Sequence, residues 1–261
     1  MTDTNEMLLV VREGPITTIR LNRPQRYNSF IREMALDLQQ EIKSCSTNGT
    51  RCLVITGEGK AFSAGHDLNE VTDPNGPSME SIVEDHYNPI IKGIRNLELP
   101  VIAAVNGAAA GAGANIALAC DIVVAKKSSY FLQAFSHIGL IPDSGGTYHL
   151  PRLIGFQRAS ALMMLGEKVS ATDAEMMGMI YKAIPDEEWE TYISNLAHKL
   201  AEMPTRGFAL TKQALNKSLV NDLDQQLDVE KKLQTLAGKT EDYHEGVKAF
   251  LEKRKANFTG K

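Results

Sequence analysis

Short apolar runs closed by turn residues alternate with stretches of helical spacing through the first two thirds of the chain. Ile16–Leu21 (Ile-Thr-Thr-Ile-Arg-Leu) reads as a strand closed by Asn22-Arg23-Pro24. Ser29 precedes a helical pattern through Met34, Leu36, Leu38 and Ile42 that ends before Asn48-Gly49. Residues 52–56 form a continuous apolar strand stopped by Gly57-Glu58-Gly59, and helical spacing returns over 79–97. Val101–Val105 reads as a strand, Ala112–Ala119 as a helix and residues 122–125 as another buried strand. This alternation predicts α/β packing with crossover helices. From about residue 159 the signals are helical. Ser170-Ala-Thr-Asp-Ala-Glu is a capping-type start, and Pro204 opens a helix carrying Phe208, Leu210 and Leu215. Residues 223–236 and 241–255 repeat the spacing. Residues 1–200 therefore read as an α/β core and 201–261 as a helical C-terminal region, without a flexible linker, internal repeat or low-complexity segment.

Bulk properties narrow the classes. A chain of 261 residues can bury a full core, and 43% hydrophobic with 23% charged residues is ordinary for a soluble globular protein. A net charge of −4, spread without long blocks, argues against a nucleic-acid partner, although Lys253-Arg254-Lys255 suits a phosphorylated ligand. Cys45, Cys52 and Cys120 are odd in number and lack metal-like spacing, which points to a reduced, cytoplasmic setting and no metal. The acidic start MTDTNEMLLVV lacks the basic region of a signal peptide, and no apolar stretch nears the roughly 20 residues of a membrane span.

The candidate chemistry lies in three loops. After the Val101–Val105 run, Asn106-Gly107-Ala-Ala-Ala-Gly111-Ala112-Gly113-Ala-Asn115 carries almost no side chains. Such a segment brings backbone close to a ligand, and the helix it opens points N–H donors there. The earlier loop Gly57-Glu-Gly-Lys-Ala-Phe-Ser-Ala64-Gly65-His66-Asp67-Leu68 offers a second amide, that of His66. Two amides, of His66 and Ala112, converging on one oxygen suit a carbonyl that becomes an enolate. Taken singly, each loop is equally an ordinary glycine turn. A dinucleotide fold would need a third glycine where Ile116 stands, and no Gly-Lys-Ser/Thr follows, so nucleotide readings are weak. In Ile141-Pro-Asp143-Ser-Gly-Gly146 the carboxylate of Asp143 is either a desolvated base at a pocket edge or a plain turn aspartate. His66 and His137 read as pocket wall or satisfied hydrogen-bonding groups. Asn115 is a neutral pocket group or a helix-start residue, and Met163-Met164 and Met176-Met177 are packing.

As a set, these segments resemble the crotonase (enoyl-CoA hydratase/isomerase) superfamily. The resemblance is carried by Asn22-Arg-Pro, Ala61-Phe-Ser-Ala-Gly-His-Asp-Leu68, Pro100-Val-Ile-Ala-Ala-Val-Asn-Gly107, Gly111-Ala-Gly, Ala119-Cys-Asp-Ile, Gly139-Leu-Ile-Pro-Asp-Ser-Gly-Gly146 and Pro151-Arg-Leu-Ile-Gly. With Phe250-Leu-Glu-Lys-Arg it covers nearly the whole chain. It implies a ββα-superhelix core, a helical C-terminal trimerisation region, and a homotrimer or a hexamer built as a dimer of trimers. It also implies an acyl-CoA thioester whose carbonyl is held by the amides of His66 and Ala112, with coenzyme A as part of the substrate and no separate cofactor. Adenine and pantetheine contacts would come from the Arg26 region and from Ala64, Gly65, His66, Asp67 and Leu68. Gly111, Asn115 and Phe135 would line the acyl site, and a basic residue near Lys253 of a neighbouring subunit would approach the CoA phosphate.

The chain departs from the hydratase pattern, in which two glutamates activate water, because Asn115 and Phe135 stand at those places. Asp143 remains. Its loop resembles that of the family's ring-epoxide isomerases, which implies transfer of a double bond from the 3- to the 2-position of an enoyl-CoA, conversion of ring-1,2-epoxyphenylacetyl-CoA to its oxepin form, or both. Another reaction on the same scaffold (hydration, dehydration or decarboxylation) and a catalytically silent acyl-CoA-binding subunit stand as alternatives.

Overall fold

The computed structural model describes residues 7–261. Among these residues there are ten strands: β1 (Leu8–Glu13), β2 (Ile16–Leu21), β3 (Cys52–Gly57), β4 (Ala61–Ser63), β5 (Val101–Val105), β6 (Ala108–Ala110), β7 (Ile122–Lys126), β8 (Tyr130–Leu132), β9 (Lys168–Ser170) and β10 (Lys182–Ile184). A six-stranded sheet has the order β1-β2-β3-β5-β7-β10, and a four-stranded sheet the order β4-β6-β8-β9. The pairs β3/β4, β5/β6 and β7/β8 each give one strand to each sheet before the chain leaves through helical segments. The expected ββα superhelix is therefore present, as three successive turns. Its stacked strands are parallel; only β1, on β2, and β9, on β8, run antiparallel.

The apolar runs are continuous because β3 and β5 are covered on both faces. Period-two alternation splits them between two cores. Leu53, Ile55, Val101, Ala103 and Val105 join a cluster with Leu38 and Ile42 of helix Arg32–Ser44, Ile90 and Ile94 of helix Asn88–Asn96, and Ile116 of helix Ala112–Ala119. Cys52, Val54, Ile102 and Ala104 face the other way, against Trp189, Ala197 and Ala201 of helix Trp189–Glu202. The three cysteines are buried and unpaired.

Only Asn106-Gly107 connects β5 to β6. The Asn106 side chain accepts from the Gly57 amide at 3.0 Å and donates to the Gly59 carbonyl at 3.0 Å, stitching one turn of the spiral to the previous one. A Cβ on Gly107 would lie 2.1 Å from the Lys60 carbonyl oxygen, so the close approach requires glycine.

Several elements differ from expectation. β9 and β10 interrupt the region whose pattern is helical, since three-residue strands carry too little pattern to register. Residues 79–96 are not one regular helix: a π-helical turn, Ile82–Tyr87, lies between Met79–Ser81 and Asn88–Asn96. The last helix, Glu241–Leu251, stops short of residue 255 because the tail doubles back, with Asp242 accepting from the amides of Thr259 and Gly260 at 2.6 and 2.8 Å. Ser170 caps helix Ala171–Met176 as its sequence predicts, accepting from the Asp173 amide at 3.1 Å. Helix Thr205–Ser218 pairs with Leu223–Ala237 and is tied to the core through Lys212, whose Nζ lies 2.7 Å from Asp121 Oδ2. Among the described residues no helix is long and apolar enough to cross a membrane.

Candidate active site

The first loop follows β4 and turns at Gly65, whose φ is +91°. A Cβ there would sit 3.0 Å from the Ala110 carbonyl and 3.4 Å from the Ala112 amide nitrogen, so glycine is what lets this loop touch the start of helix Ala112–Ala119. Phe30 holds the loop by a parallel bridge. Its amide donates to the Gly65 carbonyl at 2.7 Å, and its carbonyl accepts from the Asp67 amide at 2.8 Å. That pairing uses the groups flanking His66 and turns the His66 N–H to the opposite side. Farther along, Asp67 caps helix Leu68–Thr72 by accepting from the Asn69 amide at 3.1 Å, and pairs with Arg23 at 2.9 Å. Burial pushes the Asp67 carboxyl up, but the bonds from Arg23 and Asn69 outweigh it and hold the group below its ordinary value. The carboxylate is thus engaged in fixing the loop.

The His66 imidazole is fixed from two sides. Tyr87 Oη lies 2.9 Å from Nδ1, and Glu70 Oε2 lies 3.2 Å from Nε2, off the line of an aligned hydrogen bond. Burial lowers the imidazole pKa against the opposing pull of Glu70, so the ring is neutral at neutral pH.

The second loop ends at Gly111 (φ +52°), whose amide donates to the Leu132 carbonyl at 2.9 Å. Ala112 is the first residue of a wholly buried helix. Its N–H has no intrahelical acceptor and lies at the positive end of the helix. The Phe135 ring packs over this point, 3.8 Å from where a Gly111 Cβ would be, and forms an apolar wall.

The third loop is a tight turn. The Gly146 amide donates to the Asp143 carbonyl at 2.8 Å, with Ser144 and Gly145 at φ +51° and +72°. The turn reading of Asp143 thus holds for its backbone. Its carboxyl accepts from Ser144 Oγ at 2.8 Å, and burial raises its pKa against that bond. Asn115 joins this loop to the second. Its Nδ2 donates to the Asp143 carbonyl at 2.9 Å while its Oδ1 accepts from Gln133 Nε2 at 2.8 Å. Asn115 is fully buried and lies three residues inside the helix, so the helix-start alternative is corrected: its amide is used across the site. Burial, with the charges of Asp143 and Glu70 adding to it, raises the Tyr87 pKa, so its phenol stays protonated.

A cleft of about 620 Å³, lined by Tyr27, Lys60, Ala64, Ala110, Lys126 and Tyr130 among others, leads to this centre, since Ala64 and Ala110 precede Gly65 and Gly111. Of the expected contacts, Ala64 lines the cleft. Arg26 is exposed one residue before Tyr27 and is not part of the lining; Leu68 is also exposed. Lys253 is exposed beyond helix Glu241–Leu251 and is not brought to the cleft within this chain. Tyr27, Lys60, Lys126, Tyr130 and Tyr87 were not legible as site residues. Lys60, beside Gly59 in an already suspect loop, carried the one usable signal. His137 is exposed. Met164 and Met176 are exposed too, whereas Met163 and Met177 pack on the core. Among the described residues no group of three or more His, Cys, Asp or Glu could hold a metal ion.

A spiral of ββα turns, with two glycine loops and a third loop bearing a carboxyl whose pKa burial raises, defines the class of this protein. The chain belongs to the enoyl-CoA hydratase/isomerase (crotonase) family, whose model matches residues 12–261. It is 48% identical over 260 residues to the 1,2-epoxyphenylacetyl-CoA isomerase of Escherichia coli (strain K12), covering 98% of this chain and 99% of that one. It is 34% identical over 255 residues to the 2,3-dehydroadipyl-CoA hydratase of the same organism, covering 97% and 99%. The enoyl-CoA hydratase of Bacillus anthracis superposes with a TM-score of 0.90 at 32% identity, covering 98% of this chain and 100% of that chain.

Proposed function

We propose that this enzyme is an acyl-CoA isomerase that moves a double bond from the 3- to the 2-position of an enoyl-CoA and converts ring-1,2-epoxyphenylacetyl-CoA to its oxepin form. The observation that carries the reading is the carboxyl whose pKa burial raises, Asp143, tied by Asn115 to the helix whose first amide is that of Ala112. The thioester oxygen accepts from the amides of His66 and Ala112, which stabilise the charge that develops there. Asp143 takes a proton from C2, leaving a dienolate, and returns it at C4, so the double bond shifts with no net change in atoms. Burial makes Asp143 a stronger base than an exposed aspartate. No step calls for a metal or a cofactor beyond the CoA of the substrate, and none calls for water. Asn115 and Phe135, an amide and an apolar ring, agree with a site that does not activate water. For the epoxide, opening the ring carbon–carbon bond redistributes electrons without loss of atoms, and Asp143 carries the proton between carbons. The 48% identical isomerase supports this second activity.

Lys60 and Lys126 in the adjoining cleft supply cations suited to CoA phosphates. A homotrimer or dimer of trimers, in the cytoplasm, completes the reading. Exposed Ile141, Phe156 and Phe250 (81, 77 and 83% accessible) supply apolar surface for subunit contacts. The test is turnover of a 3-enoyl-CoA to the 2-enoyl-CoA by wild type and Asp143→Asn. Wild-type isomerisation with a loss of about 100-fold or more in the variant is expected. A wild type that binds CoA thioesters yet turns over neither the 3-enoyl thioester nor the epoxide overturns the assignment.

A further inference from the structure

Behind the His66 loop lies a group of buried side chains that the proposed chemistry does not use. The π-helical turn Ile82–Tyr87 ends in two consecutive residues, His86 and Tyr87, both fully buried. A single widened turn of this kind is rare inside a helix and recurs at functional sites. Tyr87 packs edge-on against Phe30 and against His66, each at 5.9 Å between ring centroids. Phe30 is the residue that bridges the backbone on either side of His66. The Tyr87 hydroxyl reaches His66 Nδ1 at 2.9 Å, and the His86 ring lies nearly parallel to that of His66, 6.5 Å away. Both ring nitrogens of His86 lack a hydrogen-bond partner, so that ring meets His66 by packing alone.

We propose that Tyr87 is a positioning residue of this site: its hydroxyl, acting through the imidazole of His66, sets the orientation of the His66 amide toward the thioester oxygen. The proposal rests on the assignment of that amide as a carbonyl donor. The Glu70 carboxylate 3.2 Å from Nε2 favours the tautomer with its proton there, in which Nδ1 accepts from the protonated Tyr87 hydroxyl. With Phe30 fixing the backbone on both sides of His66 and Tyr87 fixing its side chain, the peptide between Gly65 and His66 has no free rotation. A donor held in this way needs no reorganisation when charge develops on the oxygen.

The experiment reads the thioester carbonyl stretch of bound butyryl-CoA, an unreactive probe, by difference infrared spectroscopy, beside 3-enoyl-CoA kinetics. Wild type should shift the band to lower frequency. Tyr87→Phe, which keeps the ring and its packing, should reverse at least half of that shift and lower kcat about tenfold with KM within about twofold. His66→Ala, which keeps the amide, should lose about as much, and the double variant no more than either single one, because both substitutions break one linkage. A Tyr87→Phe band and kcat equal to wild type overturn the proposal, as do losses that multiply in the double variant. A wild type that shifts the band but isomerises nothing refutes the function proposed above, and the band in Tyr87→Phe still decides the role of Tyr87. A wild-type band without any shift refutes both.

Discussion

The His66 loop and the Asp143 loop are built on opposite plans. The first is held from outside itself: by the backbone bridge to Phe30, by the Arg23–Asp67 pair, and by Tyr87 and Glu70 beside the imidazole. The second is held mainly by its own backbone, a turn with Ser144 and Gly145 in the left-handed region, plus one amide from Asn115. Its neighbours Ile138, Leu140 and Ile141 are exposed. The difference teaches where rigidity is required. Under the proposed isomerisation, amide donors work only if fixed in advance, whereas a base that visits two carbons benefits from a short, lightly tethered turn.

The largest expected effect comes from removing the base. Beyond losing turnover, Asp143→Asn should be more stable than wild type at pH 7. A carboxyl raised in the folded state binds more protons there than in the unfolded chain, whose value is near 3.8, so stability falls as pH rises through that window. The neutral amide avoids this loss. Thermal melts should show the advantage at pH 7 and its disappearance below about pH 3.8.

Next is Gly65→Ala, which places a Cβ 3.0 Å from the Ala110 carbonyl at φ +91°. It should lower kcat about 100-fold, as loss of one oxyanion donor does, while butyryl-CoA binding by calorimetry stays measurable. Retained kcat would mean the first loop is less fixed than its contacts imply.

The third pair of variants separates the two plans directly. Arg23→Ala strands the buried Asp67 carboxylate and should cost about 3 kcal/mol in urea unfolding. Asn115→Ala removes one amide and should cost about 1–3 kcal/mol, yet it should lower kcat more than Arg23→Ala, because it releases the base-bearing turn.

The smallest effect lies at acid pH. His149, against which the turn glycine Gly145 packs, has its pKa pushed down to about 4 by burial and by Arg95 and Arg152. A folded-state value below the unfolded 6.5 means the unfolded chain binds the extra proton, so stability declines as pH falls from 6.5 toward 4. His149→Gln should flatten that decline in melts taken across this range.

Much of this was legible in the chain. The apolar runs of β2, β3, β5 and β7 and the helices at 32–44 and 112–119 follow from local pattern and glycine punctuation. The loops mark the two amides and Asp143 as candidates only, beside ordinary turn readings. What escaped was non-local. Ala108-Ala109-Ala110 has no strand propensity and becomes β6 only because β4 and β8 lie beside it. Tyr87 and His86 fell inside a helical pattern, where one widened turn leaves no trace in the spacing of apolar residues. Asn115 was noted as polar near the pocket, but its bond to the Asp143 carbonyl joins residues 28 apart, which no local reading can supply.

Gly146 and Asn115 fit so closely that a Cβ on Gly146 would come 2.4 Å from Asn115 Nδ2. A glutamate at 115 would be one methylene longer and could not donate to the Asp143 carbonyl. Accommodating it would require the turn that carries the base to move. Asn115→Glu therefore cannot be made without disturbing the turn that carries Asp143. Packing at a single glycine thus couples residue 115 to the turn that carries Asp143, so that a change at one is felt at the other.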